Sequence, residues 1–412
     1  MLMAGVLKAL VLTGTSQFPH RNSYFPAYNP VSGVNNLTSF GRKSQSIPER
    51  CIIVRANSQL KQGNGGEYSN WAKPMLNFAS KNFLPLALVG GVALGLANPT
   101  LGCLADSYNL SKFSTFGIFA IAGLTLRTEE IGATAEAWPV GLFGLVSILL
   151  LTPLFSRLII QLHLQPQEFV TGLAIFSCMP TTLSSGIALT RLIGGNSALA
   201  LAMTVVSNLL GILIVPFSIS RYIAAGVGIS IPTKQLLKNL IATLLVPIIL
   251  GKVCRESFKG LADFADRNSK LWSMTSAILL SLVPWMQVSK SRSLLMMVKP
   301  ETCLIATGMG ILLHLVLLVF NALCIQSLSA ISGGSSSVFS KKQNVTALLI
   351  VASQKTLPVM VAVVQQLGGA LGDSSLLVLP CVAAHLNQII LDSFLVSYWL
   401  QKEQSLDNVK TA

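Results

Sequence analysis

Residues 347–364, ALLIVASQKTLPVMVAVV, have the length and apolarity of a membrane-spanning helix, yet their middle reads Ser353-Gln354-Lys355-Thr356-Leu357-Pro358. Hydroxyls, a carboxamide and an ammonium can bind ions or a polar solute. They are expensive where no water solvates them: a charge at the bilayer centre costs about 2.5–3.5 kcal/mol on insertion scales. Pro358 also removes a backbone donor and breaks the helix. Unwound backbone at that depth is tolerated only where it lines a protein cavity or a water path.

A second cluster matches the first. From Ile175 the chain reads IFSCMPTTLSSGIALTRLIGGNSALALAMTVVSNLLGIL, and from Ile350 IVASQKTLPVMVAVVQQLGGALGDSSLLVLPCVAAHLNQIIL. Each opens as a helix interrupted by polar residues and a proline, Pro180 or Pro358. Each passes a glycine pair, Gly194-Gly195 or Gly368-Gly369, and enters an apolar helix bearing an asparagine, Asn208 or Asn387. Thr181, Thr182 and Ser185 are the counterparts of Ser353, Gln354, Lys355 and Thr356. Asp392, with His385 on the same face, is a candidate counter-charge for Lys355. His314 and Asn321, at the same seven-residue spacing, read as a helix-packing hydrogen bond. Glu129 and Glu130, beside Arg127, read as solvated interface charge.

Elements that could position these residues follow from composition. Of 412 residues 52% are hydrophobic and 11% charged, with a mean hydropathy of +0.65. Soluble domains carry about 25% charged residues, so the solvent for most of this chain is lipid. Ten apolar runs are long enough to cross a bilayer as helix, at about 83–104, 112–128, 138–161, 168–191, 196–219, 236–254, 271–289, 301–328, 345–367 and 375–400. The strict alternation of a β-barrel is absent. The expected fold is therefore an all-α polytopic membrane protein. The clusters fall in spans four and five and in spans nine and ten. An offset of five inverts topology, which predicts two inverted five-helix repeats with broken, crossing helices four and nine, the signature of a secondary transporter. The expected organisation is a first repeat over 81–220, a loop and sixth helix over 221–270, a second repeat over 234–401 and a polar tail over 402–412.

The net charge of +14 sits mainly in the first 66 residues and between apolar runs, without basic stripes bearing interleaved aromatics, so no nucleic-acid partner is expected. Lys and Arg are commoner on the side that holds both termini, which places the termini inside. Residues 1–56 are rich in Ser, Asn and Pro, carry scattered basic residues and one acid, and end at Ile53-Val54-Arg55-Ala56. That is the composition of a transit peptide; the Ile53–Ala56 stretch resembles a plastid processing pattern, so a plastid is expected over a mitochondrion, with cleavage near Ala56 and a flexible linker over 57–80. The cysteines form no CxxC or Cys/His cluster, and read as small buried hydrophobes. No Walker loop, HExxH or supported Ser/His/Asp set occurs, and Ser332–Ser337, SGGSSS, lacks a following GK[ST]. No catalytic residue and no resident cofactor is expected.

The ten-span pattern, GLTL at 123–126, and MPTTLSSGIALT leading to NSALALAMTVVSNLLGILIVP resemble the bile acid:sodium symporter family. The leader points to its plant plastid sodium/metabolite cotransporters, and the spelling of spans four and nine to the branch with the animal bile-acid cotransporter 7. The resemblance covers most of 80–400. It implies a core domain and a panel domain, with spans four and nine crossing near two sodium sites. It also implies sodium at Ser185, Thr204 and Gln354, with Thr356 matching as well. The sequence departs from the family at Gly186 for an Asn, Ala200 for a Ser, Ile350 for a Glu and Lys355 for an Asn.

Several readings of Lys355 follow. Its ammonium replaces a sodium ion, bonded to Ser185, Thr181 or Thr182; it carries a proton through the cycle; it attracts an anionic substrate; or it snorkels to the interface. The implied function is secondary transport of a small organic anion across the plastid envelope, at the inner membrane, with sodium as candidate coupling ion. Proton-coupled or uncoupled carriage stays open. So does a non-transporting membrane regulator, which a dry, packed crossing would mark, whereas Lys355 and Ser185 lining one polar cavity would mark a transporter.

Overall fold

A computed structural model describes residues 83–127 and 135–411. The expected leader over 1–56, cleavage near Ala56, the linker over 57–80, Glu129 and Glu130 lie outside the described residues. Among those described, all regular structure is helical.

Helix α1 (Phe83–Ala97) and α2 (Pro99–Ser107) meet at a bend of 103°. One straight first span is expected from the sequence, and Pro99 is the reason it fails. Its ring disfavours a helical residue before it, so Asn98 is extended (φ −134°, ψ 91°) and its side chain caps α2 by accepting from the Thr100 N–H. Then follow α3 (Leu110–Thr125), α4 (Trp138–Ile159), α5 (Gln167–Ser177), α6 (Ser185–Leu192) and α7 (Ser197–Val227). After α8 (Thr233–Ser257) comes α9 (Lys259–Arg267), a short helix that hydropathy alone does not announce. The chain closes with α10 (Ser269–Lys290), α11 (Arg292–Met297), α12 (Pro300–Ile331), α13 (Lys342–Ser353), α14 (Leu357–Leu367) and α15 (Ser374–Thr411).

Among the described residues, seven spans are long and apolar enough to cross a membrane, counting the α13–α14 pair as one, or eight if the bent α1–α2 pair is one more. Helices occupy all ten apolar runs read from the sequence; α3 is shorter than a full span, and the fourth run is split into α5 and α6. Leu94, Leu304, Met297 and Ile331 are each more than 60% exposed, a surface suited to lipid rather than water.

Helix α10 packs along α1, α2 and α3, and α8 along α3. The α3–α8 contact is close because Gly123 and Gly251 each face the backbone of the opposite helix. A Cβ on either would lie 2.1 Å from a carbonyl oxygen, of Ile248 or Ala120, as in small-residue membrane packing. Around the broken helices, α13 packs against α4, α6, α7 and α12, and α14 against α8 and α15. The most apolar window of the α13–α14 pair is 100% buried, so its polar break lies inside protein.

Candidate functional site

Two helix breaks meet. Helix α5 ends at Ser177, and after two turn-forming residues Pro180 supplies no N–H. Between α13 and α14, Gln354 (φ −83°, ψ 150°) and Thr356 (φ −92°, ψ 131°) are extended, and Pro358 stands at the start of α14. Freed backbone is satisfied across the crossing. The Thr356 N–H donates to the Pro180 carbonyl at 2.9 Å, and the Thr181 hydroxyl donates to the Val351 carbonyl at 2.5 Å. The hydroxyls of Thr182 and Ser185 both donate to Gln354 Oε1, at 2.5 and 2.9 Å.

Side chains from flanking helices hold each break. Asn208 on α7 donates to the Thr181 and Thr204 carbonyls at 3.0 and 2.8 Å. Its expected counterpart, Asn387, is half-buried and makes no such bond; its neighbour Gln388 does this work. Gln388 Oε1 accepts from the Lys355 N–H at 2.9 Å and its Nε2 donates to the Lys355 carbonyl at 2.6 Å. His385 Nδ1 lies 3.2 Å from that carbonyl. On α12, His314 and Asn321 do more than pack helices. His314 Nδ1 reaches the Ser353 carbonyl at 3.2 Å, and Asn321 donates to Ser353 Oγ at 3.1 Å while accepting from Ser147 Oγ at 2.6 Å.

The expected pairing of Asp392 with Lys355 is not what forms. Asp392, fully buried, accepts from Gln354 Nε2 at 2.6 Å and meets His314 Nε2 at 2.8 Å. In an extended segment successive side chains point oppositely, so Gln354 faces Asp392 and the Thr182 and Ser185 hydroxyls while Lys355 faces away. Lys355 also misses its expected partners on Thr181, Thr182 and Ser185. It is 1% exposed, and its Nζ donates to the carbonyls of Ile148 at 3.1 Å and Met179 at 2.9 Å and to Thr152 Oγ1 at 2.6 Å. A snorkelling lysine is excluded by that burial.

A cavity of about 300 Å³ opens beside the crossing. Thr182, Ser185, Thr204, Asn208, Thr356 and Pro358 line it; Pro180, Thr181, Ser353, Gln354, Lys355, Asn387 and Asp392 do not. The predicted pair of cavity residues is thus half met, by Ser185 alone. Helices α1, α3, α8 and α10 form the facing wall, through Leu84, Ile118, Ile248 and Trp272 among others. Thr204 Oγ1, Asn208 Oδ1, Thr356 Oγ1 and Trp272 Nε1 are buried without a hydrogen-bond partner, and all four residues belong to this lining. A buried polar atom left unpaired costs about 1–3 kcal/mol.

The departures from the family pattern have local reasons. A Cβ at Gly186 would lie 3.3 Å from Gln354 Oε1 and 3.4 Å from Thr182 Oγ1, so a side chain there would have to push these two oxygens aside by a few tenths of an ångström. Ile350 is fully buried with Ile193 and Val396, and Ala200 with Leu199 and Met203. Of the oxygens expected to hold sodium, those of Ser185 and Thr204 belong to residues of the cavity wall, whereas Gln354 Oε1 lies off it and already accepts from Thr182 and Ser185. The orphaned Thr204 hydroxyl fits such a role.

Broken helices meeting beside a cavity inside a bundle of membrane helices are the architecture of a secondary transporter. The chain belongs to the SBF-like CPA transporter family, whose pattern matches residues 82–401. It is 67% identical over 379 residues to a protein of Arabidopsis thaliana named "Probable sodium/metabolite cotransporter BASS4, chloroplastic", covering 90% of this chain and 86% of that protein. A protein of the same name from Oryza sativa subsp. indica is 60% identical over 342 residues, covering 83% and 81%. The sodium/bile acid cotransporter 7 of Xenopus tropicalis is 24% identical over 343 residues, covering 81% and 96%. These relatives fall where the sequence resemblance pointed, among the plant plastid sodium/metabolite cotransporters and at the cotransporter-7 branch.

Proposed function

We propose that the protein is a sodium-coupled carrier of a small organic anion in the plastid inner envelope. The observation that carries this reading is the cavity. The N-termini of α6 and α14 open onto it through Ser185, Thr356 and Pro358, and helix N-termini attract anions. Beside them stand the unpaired oxygens of Thr204 and Asn208, suited to a cation. An anion and a cation would each complete the other's neutralisation in a site walled by apolar helices. The sodium in the relatives' names and the chloroplastic location in the plant ones support the same reading. Ser185, Thr204 and Gln354 would hold a sodium ion through their side-chain oxygens, and apolar α1, α3, α8 and α10 would keep water from it.

The replaced Glu and Asn favour a second reading, a proton-coupled or uncoupled carrier, because sodium meets neutral oxygens only at this wall. Uptake of radiolabelled short carboxylates and sulfonates by proteoliposomes separates them. A sodium gradient is expected to accelerate uptake and a proton gradient not to. Uptake driven only by unlabelled anion inside would establish uncoupled exchange. Absence of uptake or exchange with the whole panel would favour the membrane regulator.

A further inference from the structure

We infer that the protein carries a monovalent-cation cage whose resident cation is its own Lys355 ammonium, and that this cage takes a free cation or primary alkylammonium when the lysine is cut back. This site is separate from the Ser185–Thr204 wall, and the inference holds whichever ion drives transport.

The cage is written into α4. Its residues Ser147–Leu151 form a wide turn in which the Thr152 N–H donates to Ser147, five residues back, instead of to Ile148. The next donor that could reach Ile148 in that register is Pro153, which has no N–H. The Ile148 carbonyl is therefore released from the helix, and Thr152 Oγ1 and Lys355 Nζ both bond it, at 2.9 and 3.1 Å. A second oxygen is Thr152 Oγ1 itself. Its hydrogen is committed to Ile148, so toward Lys355 it only accepts. The third is the Met179 carbonyl, just past the end of α5, where a helix terminus presents partial negative charge.

All three partners are acceptors, and an ammonium has three N–H donors and no acceptor. The count closes: the cage is filled by one charged amine, each hydrogen used once. Asp392 is engaged by Gln354 and His314, so the charge is held by oriented carbonyls and a hydroxyl. That is how dehydrated monovalent cations are held. The lysine thereby ties the break between α13 and α14 to α4 and to the break after α5.

Lys355→Ala deletes the equivalent of one n-propylammonium ion. Thermal unfolding of the full chain in lipid nanodiscs tests the inference. Lys355→Ala is expected to lower Tm by several degrees, and added n-propylammonium to restore about half or more of the loss by mass action on the folded state. Sodium or potassium restore part of it; n-propanol and tetramethylammonium, which lack the charge or the N–H donors, restore none. Lys355→Met fills the space without donors and is expected to stay destabilised with every addition. The wild type does not respond to n-propylammonium. Binding of radioactive sodium gives an independent count: the alanine variant binds one ion more per chain than the wild type, whether the wild type binds one or none. Lys355→Met with wild-type Tm would overturn the inference. So would a Lys355→Ala protein that none of these cations stabilises, or that cannot be recovered folded in their presence.

Discussion

The hydroxyls at the crossing divide by what they touch. Thr181 and Thr182 are spent on Val351 and Gln354, whereas Thr204 and Thr356 have no partner. Removing an unpaired buried hydroxyl is close to neutral or stabilising, while removing a paired one costs about 1 kcal/mol and orphans its partner. Thr204→Val is therefore expected to leave Tm unchanged or raised while reducing sodium-stimulated uptake at least about tenfold, roughly 1.4 kcal/mol of lost binding. Thr181→Val is expected to lower Tm. Parallel melting and uptake assays check both. The sequence made this cluster legible because Gln354 and Lys355 stand in an apolar run. It did not reveal where they point. Charge alone paired Lys355 with Asp392; an extended backbone sends adjacent side chains to opposite sides. The true partners of Lys355 include two main-chain carbonyls, which no side chain advertises.

Helix breaks at Pro180 and Pro358 could be read from the chain, since proline and clustered hydroxyls mark them. What props them open was read one residue off: the repeated asparagine led to Asn387, and Gln388 is the residue that clasps Lys355 on both its N–H and its carbonyl. A near-repeat in sequence fixes a helix turn, and a single residue moves the side chain by about 100° around it. Gln388→Leu should cost about 2–4 kcal/mol by orphaning two buried backbone groups, and Asn387→Leu less than about 0.5 kcal/mol. Denaturation of the purified variants compares them; equal losses would contradict the clasp. The bend at Asn98 and the wide turn of α4 escaped the sequence reading because hydropathy is blind to a proline that redirects a helix without ending its apolar run.

At the scale of the molecule, an apolar surface meets lipid and polar ends meet water. Helix α9 is held at one such end: Asp266 bonds Arg255 at 2.9 Å and Arg127 at 3.0 Å. Arg255's hydrogen bonds, then Arg127's, hold the Asp266 carboxyl below its usual range. A depressed folded value means the stabilisation is present above about pH 3.9, the unfolded value, and fades as pH falls through the folded one. The anchoring is thus constant between pH 6 and 8. Asp266→Asn is expected to cost under about 1 kcal/mol there, as exposed pairs do, with no change in the shape of a Tm–pH profile over that range.

The fold class was legible in composition and run length, and the cavity was not, because it is made where α1, α3, α8 and α10 face the crossing, a relation between distant segments. Whether that cavity is a transport site is decided by whether it opens to each side in turn. Ser276 on α10 lines it. In a background with the native cysteines replaced, Ser276→Cys in oriented proteoliposomes can be labelled by a membrane-impermeant maleimide from either face. The account predicts modification from both faces, with sodium plus transported anion shifting the ratio between them. Modification from one face alone, in every ionic condition, would contradict it.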